Sequence, residues 1–235
     1  MELKFDPDRP AYKYIQTPDE LNSALEELEK APVIGVDVEG TGLDPYTSKL
    51  LLVQIGTEEI SYILDARKLN LKEFPRYRLL LEDPKRIKIL HNAKFDYKFL
   101  KVQTVARLTN VYDTMLAGAV LTAGLMGKNP SLKELALKYC GIDLEKGVRK
   151  TFYNYVGDIT DAQLKYSSLD TLVMFPIFKG QIEELKREDV VKIAKLEFAS
   201  TLVVAEMELR GMFINVPKWK EVIRQLEEKR QKYAD

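Results

Sequence analysis

Short apolar segments and longer amphipathic segments alternate along the chain. Residues favourable to β-structure predict six strands, at 12–16, 33–39, 50–56, 60–65, 87–91 and 111–114. Between and after these strands, apolar residues recur at helical spacing. Strands that alternate with amphipathic helices indicate an α/β sheet domain. The connections that join the second, third and fourth strands are rich in Gly, Pro, Thr and Glu, so we expect these strands to form an antiparallel meander.

Helix starts are marked by capping boxes, in which a Ser or Thr precedes a Glu or Gln by three residues. Boxes at Thr17–Glu20, Ser131–Glu134 and Thr160–Gln163 each precede a segment of helical period. The third begins a long helix that we expect Pro176 to bend. Asn92 follows an apolar strand and is expected to cap a further helix with its side chain.

The last fifty residues have a different pattern from the rest of the chain. A helix is predicted at Val190–Arg210, and a second begins at Pro217 and has no stop signal before Asp235. We therefore divide the chain into a domain at 1–185 and a helical segment at 186–235. A chain that ends inside a charged helix is expected to be a fragment of a larger protein.

Composition and charge restrict the classes of function. With 46% hydrophobic and 31% charged residues, the sequence is typical of a water-soluble globular protein. Its 36 basic and 36 acidic residues give no net charge, so it lacks the basic excess of a non-specific duplex-DNA binder. A carboxylate site that holds metal ions would reconcile this neutrality with a nucleic-acid substrate, because the ions would meet the phosphates.

The low counts of cysteine and histidine exclude further classes of structure and metal site. Cys140 is the only cysteine, so the chain has no intramolecular disulfide. His91 is the only histidine, which excludes zinc fingers and histidine-rich metal sites. The N-terminal region has no apolar signal segment, and no apolar run is long enough to span a membrane. We therefore expect a cytoplasmic protein that does not associate with membranes.

A pair of acidic residues lies at the end of the second predicted strand. Asp37 and Glu39 are two residues apart, so their side chains project from the same face of the strand. Adjacent carboxylates repel each other unless a cation lies between them. Their hard oxygen ligands suit Mg²⁺ or Mn²⁺. A strand that ends in a solvated turn would explain the same pair without a metal.

Two further motifs carry carboxylates on helices. Asp96 lies in the first turn of the helix that follows Asn92. Tyr166 and Asp170 are four residues apart and therefore share one helix face. Taken alone, each motif also has a purely structural explanation.

Taken in chain order, these three motifs resemble the exonuclease motifs of the DEDD nuclease superfamily. The histidine branch of that superfamily has its base five residues before the last acidic residue, where this chain has Lys165. Tyr166 lies instead at the position typical of the tyrosine branch. The resemblance covers about residues 12–185. It implies a ribonuclease H-like mixed sheet flanked by helices, here with a C-terminal helical extension, and a 3′-5′ exonuclease that uses two divalent ions, Mg²⁺ or Mn²⁺.

The resemblance also assigns a role to each acidic residue. Asp37 would bridge both ions, Glu39 and Asp170 would complete the site that activates water, and Asp96 would hold the second ion. Tyr166 would orient the attacking water, because a phenol with a pKa near 10 is a poor base at neutral pH. The implied product is a nucleoside 5′-monophosphate.

Substrate contacts are expected beside these residues. The resemblance places Leu43 against the terminal base and Asn92 near the terminal nucleotide. A basic and aromatic segment is expected to follow the nucleic-acid backbone and to stack on bases, through Lys146, Arg149, Lys150, Phe152 and Tyr153. A solvated loop with its aromatic side chains turned inward would explain the same segment. Gly40 and Gly42 are explained by a turn after a strand rather than by a phosphate loop.

The tail is similar to the segment that joins the proofreading and polymerase domains of family A, polymerase I-type, DNA polymerases. The similarity lies in 196–215, where a Met-Glu-x-x-Gly pattern precedes a short extended segment. It implies a single-stranded DNA 3′ end as substrate and a polymerase domain in the natural full-length chain, and we expect a monomer. Two alternatives are a ribonuclease D-like RNA exonuclease and a catalytically inactive module that supports a polymerase or binds nucleic acid.

Overall fold

A mixed sheet forms the centre of the protein. The computed structural model describes residues 3–123, 130–144 and 147–234. Six strands lie in the order β1-β4-β3-β2-β5-β6, and β3 runs antiparallel to its neighbours β2 and β4. The other neighbouring pairs are parallel. The strands are β1 at Tyr12–Ile15, β2 at Val33–Gly40, β3 at Leu50–Gly56, β4 at Ser61–Asp65, β5 at Ile87–Leu90 and β6 at Val111–Asp113.

Eight α-helices flank or follow this sheet within the described residues. They are α1 at Pro18–Leu28, α2 at Pro75–Glu82, α3 at Ala93–Thr104, α4 at Thr114–Thr122, α5 at Leu132–Cys140, α6 at Asp161–Arg187, α7 at Val191–Arg210 and α8 at Val216–Ala234. The predicted fold class and the antiparallel meander are confirmed, and all three capping boxes form. A short 3₁₀ turn at Leu71–Glu73 precedes α2. Helix α6 continues through Pro176.

The two faces of the sheet are covered differently. On one face, apolar residues of β2 and β3 pack with α1, α2 and α3 in the largest buried cluster. On the other face, α6 lies close against the strands. A side chain at Gly35 would begin 3.1 Å from the backbone oxygen of Thr171, and one at Gly56 would begin 3.4 Å from the Thr171 Cβ. Two facing glycines therefore allow the long helix to pack directly on the sheet.

The pairing of β2 with β3 is irregular where the acidic residues of β2 lie, because Leu51 of β3 is an extra residue in the ladder. Glu39 pairs with Leu52, but the next residue, Gly40, pairs with Leu50, so the register shifts by one residue. Such a bulge bends a strand and redirects its side chains, and bulges are frequent next to active sites. A side chain at Gly40 would begin 3.0 Å from the Phe99 ring, which explains the glycine by packing.

Asp113 caps two helices at once. Its carboxylate accepts the backbone N–H groups of Asn92 and Ala93, at 3.1 and 2.8 Å, where α3 begins. It also accepts the N–H groups of Met115 and Leu116, at 2.9 and 3.2 Å, where α4 begins. Asn92 occupies the N-cap position of α3, as predicted, but its backbone is left-handed, with φ 64°, and its side chain makes no capping hydrogen bond.

The C-terminal helices differ in how they contact the sheet domain. The last turns of α7 are tied to α3 through Glu208, which pairs with Lys94 and Lys98 at 2.6 and 2.7 Å. Tyr46 donates its hydroxyl to the Leu209 carbonyl at 2.7 Å. All side chains described from 211 to 233 are exposed. Among the described helices, none has both the length and the apolar character needed to cross a membrane.

The capping role of Asp113 makes a testable prediction. We expect Asp113→Asn to lower the free energy of unfolding by about 2 kcal/mol, because an amide NH₂ group would then face a buried backbone N–H. Urea denaturation measures this change. Asp6→Asn is the matched control. The exposed side chain of Asp6 accepts one N–H group, that of Asp8, among the described groups, so this variant should change stability by less than about 0.5 kcal/mol. Equal stability of the two variants would contradict the assignment.

Candidate active site

Three carboxylates meet where β2 ends beneath α6. Asp37 and Glu39 come from the strand, and Asp170 comes from the helix. One carboxylate oxygen from each lies within 4.8 Å of the other two. Glu39 and Asp170 are each only 7% exposed, whereas Asp37 is half-buried. Strand alternation and the close packing of α6 therefore bring together oxygen ligands suited to a divalent cation.

Asp96 lies in the same cleft, in the first turn of α3. It is outside the 4.8 Å group, but its side chain is only 2% exposed. Its Oδ2 atom has no hydrogen-bond partner among the described residues. A buried carboxylate oxygen without a donor is costly, and a cation in the cleft would satisfy it.

Burial and mutual repulsion disfavour the charged form of these carboxyl groups. Burial raises the pKa of Asp37 to about 6, against the opposing effect of Arg149. Burial and then the charge of Asp37 raise the pKa of Asp170 to about 8. The pKa values of Glu39 and Asp96 are raised well above the usual range, first by burial and then by neighbouring carboxylates. The protein concentrates negative charge that a cation would stabilise, so the residues fit a divalent metal.

Tyr166 is half-buried beside the acidic cluster. Burial raises its pKa, and the nearby charges of Asp170 and Glu39 raise it further. The phenol therefore stays protonated at neutral pH. The Phe152 ring lies 6.3 Å from the Tyr166 ring, centre to centre, at an angle of 45°. Phe152 thus supports the tyrosine from the core side.

The acidic residues and Tyr166 line an open cleft of about 530 Å³. Arg149 and Lys150 line it too, from a 3₁₀ turn at Val148–Phe152. Burial opposes the charge of Arg149, but the interactions with Tyr166 and with the carboxylates outweigh it and raise its pKa. The cleft therefore combines an acidic floor with basic groups. Lys146 lies outside the described residues.

The predicted substrate residues differ in their exposure. Leu43 lines the cleft and is 74% exposed, and half-buried Asn92 also lines it. Phe152 is 1% exposed and belongs to a buried apolar cluster, so little of its ring is open to a base. The exposed aromatic side chain of this segment is Tyr153, at 66%. A side chain at Gly42 would begin 2.5 Å from the Ser48 hydroxyl, which is consistent with a turn.

Some cleft residues were not identified as site residues from sequence. His91 lines the cleft, and its Nδ1 atom lies 2.9 Å from the Thr114 hydroxyl. Burial and then the charge of Arg149 lower the pKa of His91 to about 4, so it is neutral near pH 7. Met115 and Lys133 form part of the far wall. No local sequence pattern distinguishes either of these two residues from ordinary helix residues.

A comparison with models of protein families identifies the family of this chain. Residues 12–186 match a family model described as 3′-5′ exonuclease. The chain belongs to this 3′-5′ exonuclease family. It is therefore a DEDD-type exonuclease, and the resemblance inferred from the three acidic motifs is confirmed.

This chain is similar in sequence to a DNA polymerase and to an exosome component, and similar in fold to an RNase D. DNA polymerase I of Borreliella burgdorferi is 29% identical over 218 residues, which cover 89% of this chain and 24% of the polymerase. The exosome complex component 10 homolog of Drosophila melanogaster is 33% identical over 174 residues, covering 74% of this chain and 19% of that protein. The crystal structure of Escherichia coli RNase D matches with a TM-score of 0.75 at 21% identity, covering 83% of this chain and 51% of that one. The chain thus spans about a quarter or less of these two curated relatives.

The crowded carboxylates make a prediction about metal binding. We expect millimolar Mg²⁺ or Mn²⁺ to raise the melting temperature of the exonuclease by roughly 5 °C, because a cation that binds only the folded state stabilises it. Asp37→Asn should melt higher than the wild type without metal and should lose most of the metal-induced shift. Differential scanning calorimetry measures both effects.

The matched control for this measurement is Glu183→Gln. Glu183 is an exposed carboxylate on the same helix as Asp170, and it pairs only with Lys186 among the described residues. Its replacement should leave the metal-induced shift unchanged. A wild-type protein whose melting temperature does not respond to either ion would count against the metal site.

Proposed function

We propose that this chain is a metal-dependent 3′-5′ exonuclease that removes nucleotides from single-stranded or frayed 3′ ends of DNA. The observation that carries the proposal is the group of three carboxylates within 4.8 Å in an open cleft that Asp96 and Tyr166 also line. Hydrolysis would release nucleoside 5′-monophosphates.

The acidic residues would hold two divalent ions, Mg²⁺ or Mn²⁺. Asp37, Glu39 and Asp170 would bind one ion, and Asp96 together with Asp37 would bind the other. Support comes from the buried, unpartnered Oδ2 of Asp96 and from the raised pKa values of the carboxyl groups. When bound, such ions stabilise the charge on the attacking and leaving oxygens of a phosphodiester hydrolysis.

Tyr166 would orient the attacking water through its hydroxyl. Its pKa is raised by burial and by the adjacent carboxylates, so it does not act as a general base at neutral pH. Phe152 packs against its ring and limits its movement. The tyrosine is therefore proposed to be a positioning group for water rather than a proton acceptor.

Side chains along the cleft wall are proposed to bind the nucleic-acid strand. Arg149 and Lys150 are exposed cations next to the acidic floor and are proposed to bind backbone phosphates. Exposed Leu43 and Tyr153 are proposed to contact the last bases, since apolar and aromatic surfaces stack on any base. Asn92 is proposed to contact the terminal nucleotide. Phe152 takes part only indirectly, behind Tyr166.

DNA is the proposed substrate because of the C-terminal segment. The family match ends at residue 186, and residues 196–215 beyond it are similar to the segment that joins the proofreading and polymerase domains of family A DNA polymerases. We propose that 1–185 form the exonuclease domain and that 186–235 begin a polymerase-like region in a longer natural protein. Proofreading during DNA replication would be the corresponding activity.

RNA is the second candidate substrate. The Drosophila exosome component is 33% identical to this chain, and the RNase D structure shares its fold. Four carboxylates do not distinguish the two sugars, because discrimination depends on contacts to the 2′-hydroxyl. A catalytically inactive module is less well supported, since the acidic residues and Tyr166 lie in one cleft.

A degradation assay tests the proposal directly. We expect 5′-labelled single-stranded DNA to shorten from its 3′ end in Mg²⁺, and the Asp37→Ala/Glu39→Ala variant to lose this activity. Matched RNA is the parallel substrate. Equal or faster loss of RNA would favour the ribonuclease assignment, and no degradation of either strand in Mg²⁺ or Mn²⁺ would favour the inactive module.

The role of Tyr166 makes a separate prediction. Tyr166→Phe should reduce kcat roughly 100-fold, because it removes the hydroxyl that orients water, but it should keep the metal-induced rise in melting temperature. Single-turnover kinetics and calorimetry measure the two properties. Full activity in this variant would exclude the hydroxyl from the reaction, and loss of the thermal shift would place Tyr166 in metal binding instead.

A further inference from the structure

Gln54 is a polar residue within an otherwise buried apolar strand. Its side chain is 0% exposed. Neither its amide oxygen nor its amide nitrogen has a hydrogen-bond partner among the described residues. Buried polar groups in native proteins nearly always have a partner, so an unpaired amide indicates an ordered water or a functional role.

The register of the sheet places Gln54 beside the acidic cluster. Gln54 on β3 is directly paired with Asp37 on β2 in the antiparallel ladder. Directly paired residues project from the same face, with their Cβ atoms about 4.5–5.5 Å apart. The Gln54 side chain therefore projects beside that of Asp37, on the same face of the sheet.

Helix α6 covers this part of the sheet. Leu164 on the helix and Leu52 on the strand belong to one buried apolar cluster. Two turns further along the helix, the Thr171 Cβ lies 3.4 Å from the point where a side chain at Gly56 would begin. Leu52 and Gly56 are the residues two before and two after Gln54. The helix turn between the two contacts therefore faces Gln54.

Ser167 lies in that turn of the helix. Its side chain is 0% exposed, and its hydroxyl also has no hydrogen-bond partner among the residues described. The two atoms of the Gln54 amide and the Ser167 hydroxyl are thus three unpartnered polar atoms in one layer between sheet and helix. Three polar partners are the usual number for one buried water.

We infer that Gln54 and Ser167 are positioning residues for Asp37, joined by one ordered water into a buried polar bridge beside its carboxylate. This inference rests on the proposed function, in which Asp37 holds the metal ions. The bridge would fix the orientation of the carboxylate before the ions bind. Groups that orient a metal ligand from behind commonly change metal affinity about 10–100-fold when they are replaced.

Gln54→Met tests the bridge, because Met has a similar size and no polar atoms. We expect the metal-free melting temperature to change little, since Met fills the volume of the amide and introduces no unpaired polar group of its own. We expect Mn²⁺ affinity, measured by electron paramagnetic resonance titration of the free ion, to fall about tenfold or more. A purely structural Gln54 predicts unchanged Mn²⁺ affinity, so the two explanations give opposite results.

Ser167 provides a second, independent variant. Ser167→Ala should also weaken Mn²⁺ binding, and Ser167→Thr, which keeps the hydroxyl, should restore it. The double variant Gln54→Met/Ser167→Ala should lose no more Mn²⁺ affinity than the weaker-binding single variant. The losses should not add, because either replacement alone breaks the bridge. Fully additive losses would overturn the bridge.

Gln181→Met is the matched control for Gln54→Met. Gln181 lies on α6, the helix that carries Ser167. Gln181 is equally buried, but it donates to the Thr114 carbonyl at 2.8 Å and accepts from the Tyr112 hydroxyl at 3.3 Å. Its replacement should lower the melting temperature and leave Mn²⁺ affinity unchanged. A parallel loss of stability and affinity in both Gln variants would overturn the inference, because it would reflect general destabilisation.

The same titration separates this inference from the proposed function. A wild-type protein that binds Mn²⁺ and degrades nucleic acid, with a Gln54→Met variant of equal affinity, overturns only the bridge. A wild-type protein that neither binds Mn²⁺ nor degrades nucleic acid overturns the proposed function and the bridge with it. A selective loss of affinity in Gln54→Met supports both.

Discussion

The close approach of helix α6 to the sheet is the constraint on which the site depends. Gly35 and Gly56 have no side chains, so the helix backbone at Thr171 lies directly against two strands. Asp170, one residue earlier, consequently reaches the end of β2. A side chain at Gly35 would begin 3.1 Å from the Thr171 backbone oxygen, so it would displace the helix and separate its carboxylate from those of the strand.

This packing holds like charges together against their repulsion. Burial is the largest cause that raises the pKa of all four carboxyl groups. The negative charge of neighbouring carboxylates further raises the pKa of Glu39, Asp96 and Asp170. The large apolar cluster formed by the sheet with α1, α2 and α3 supplies stability that offsets this cost. The cleft is thus a locally unfavourable arrangement that a divalent cation would relieve, which is typical of sites built for function.

Helix α3, which carries Asp96, is held by contacts at its first turn and by ion pairs with α7. These contacts fix the position of Asp96. Asp113 caps its first turn, and Glu208 of α7 pairs with Lys94 and Lys98 on either side of Asp96 in sequence. Each ion pair at the surface contributes little alone. The C-terminal helix and the candidate active site are nevertheless physically connected through α3.

Local sequence patterns determined the order of strands and helices, the meander and the shared face of Asp37 and Glu39. These features depend on residues that are neighbours along the chain and on the fixed side-chain periods of helices and strands, so they can be predicted from one sequence. Only the tertiary structure decided that Asp113 rather than the Asn92 side chain caps α3, that Phe152 is buried while Tyr153 is exposed, and that Gln54 is paired with Asp37. These outcomes depend on packing and on pairs of residues that are distant along the chain, and no local periodicity specifies which distant residues will meet.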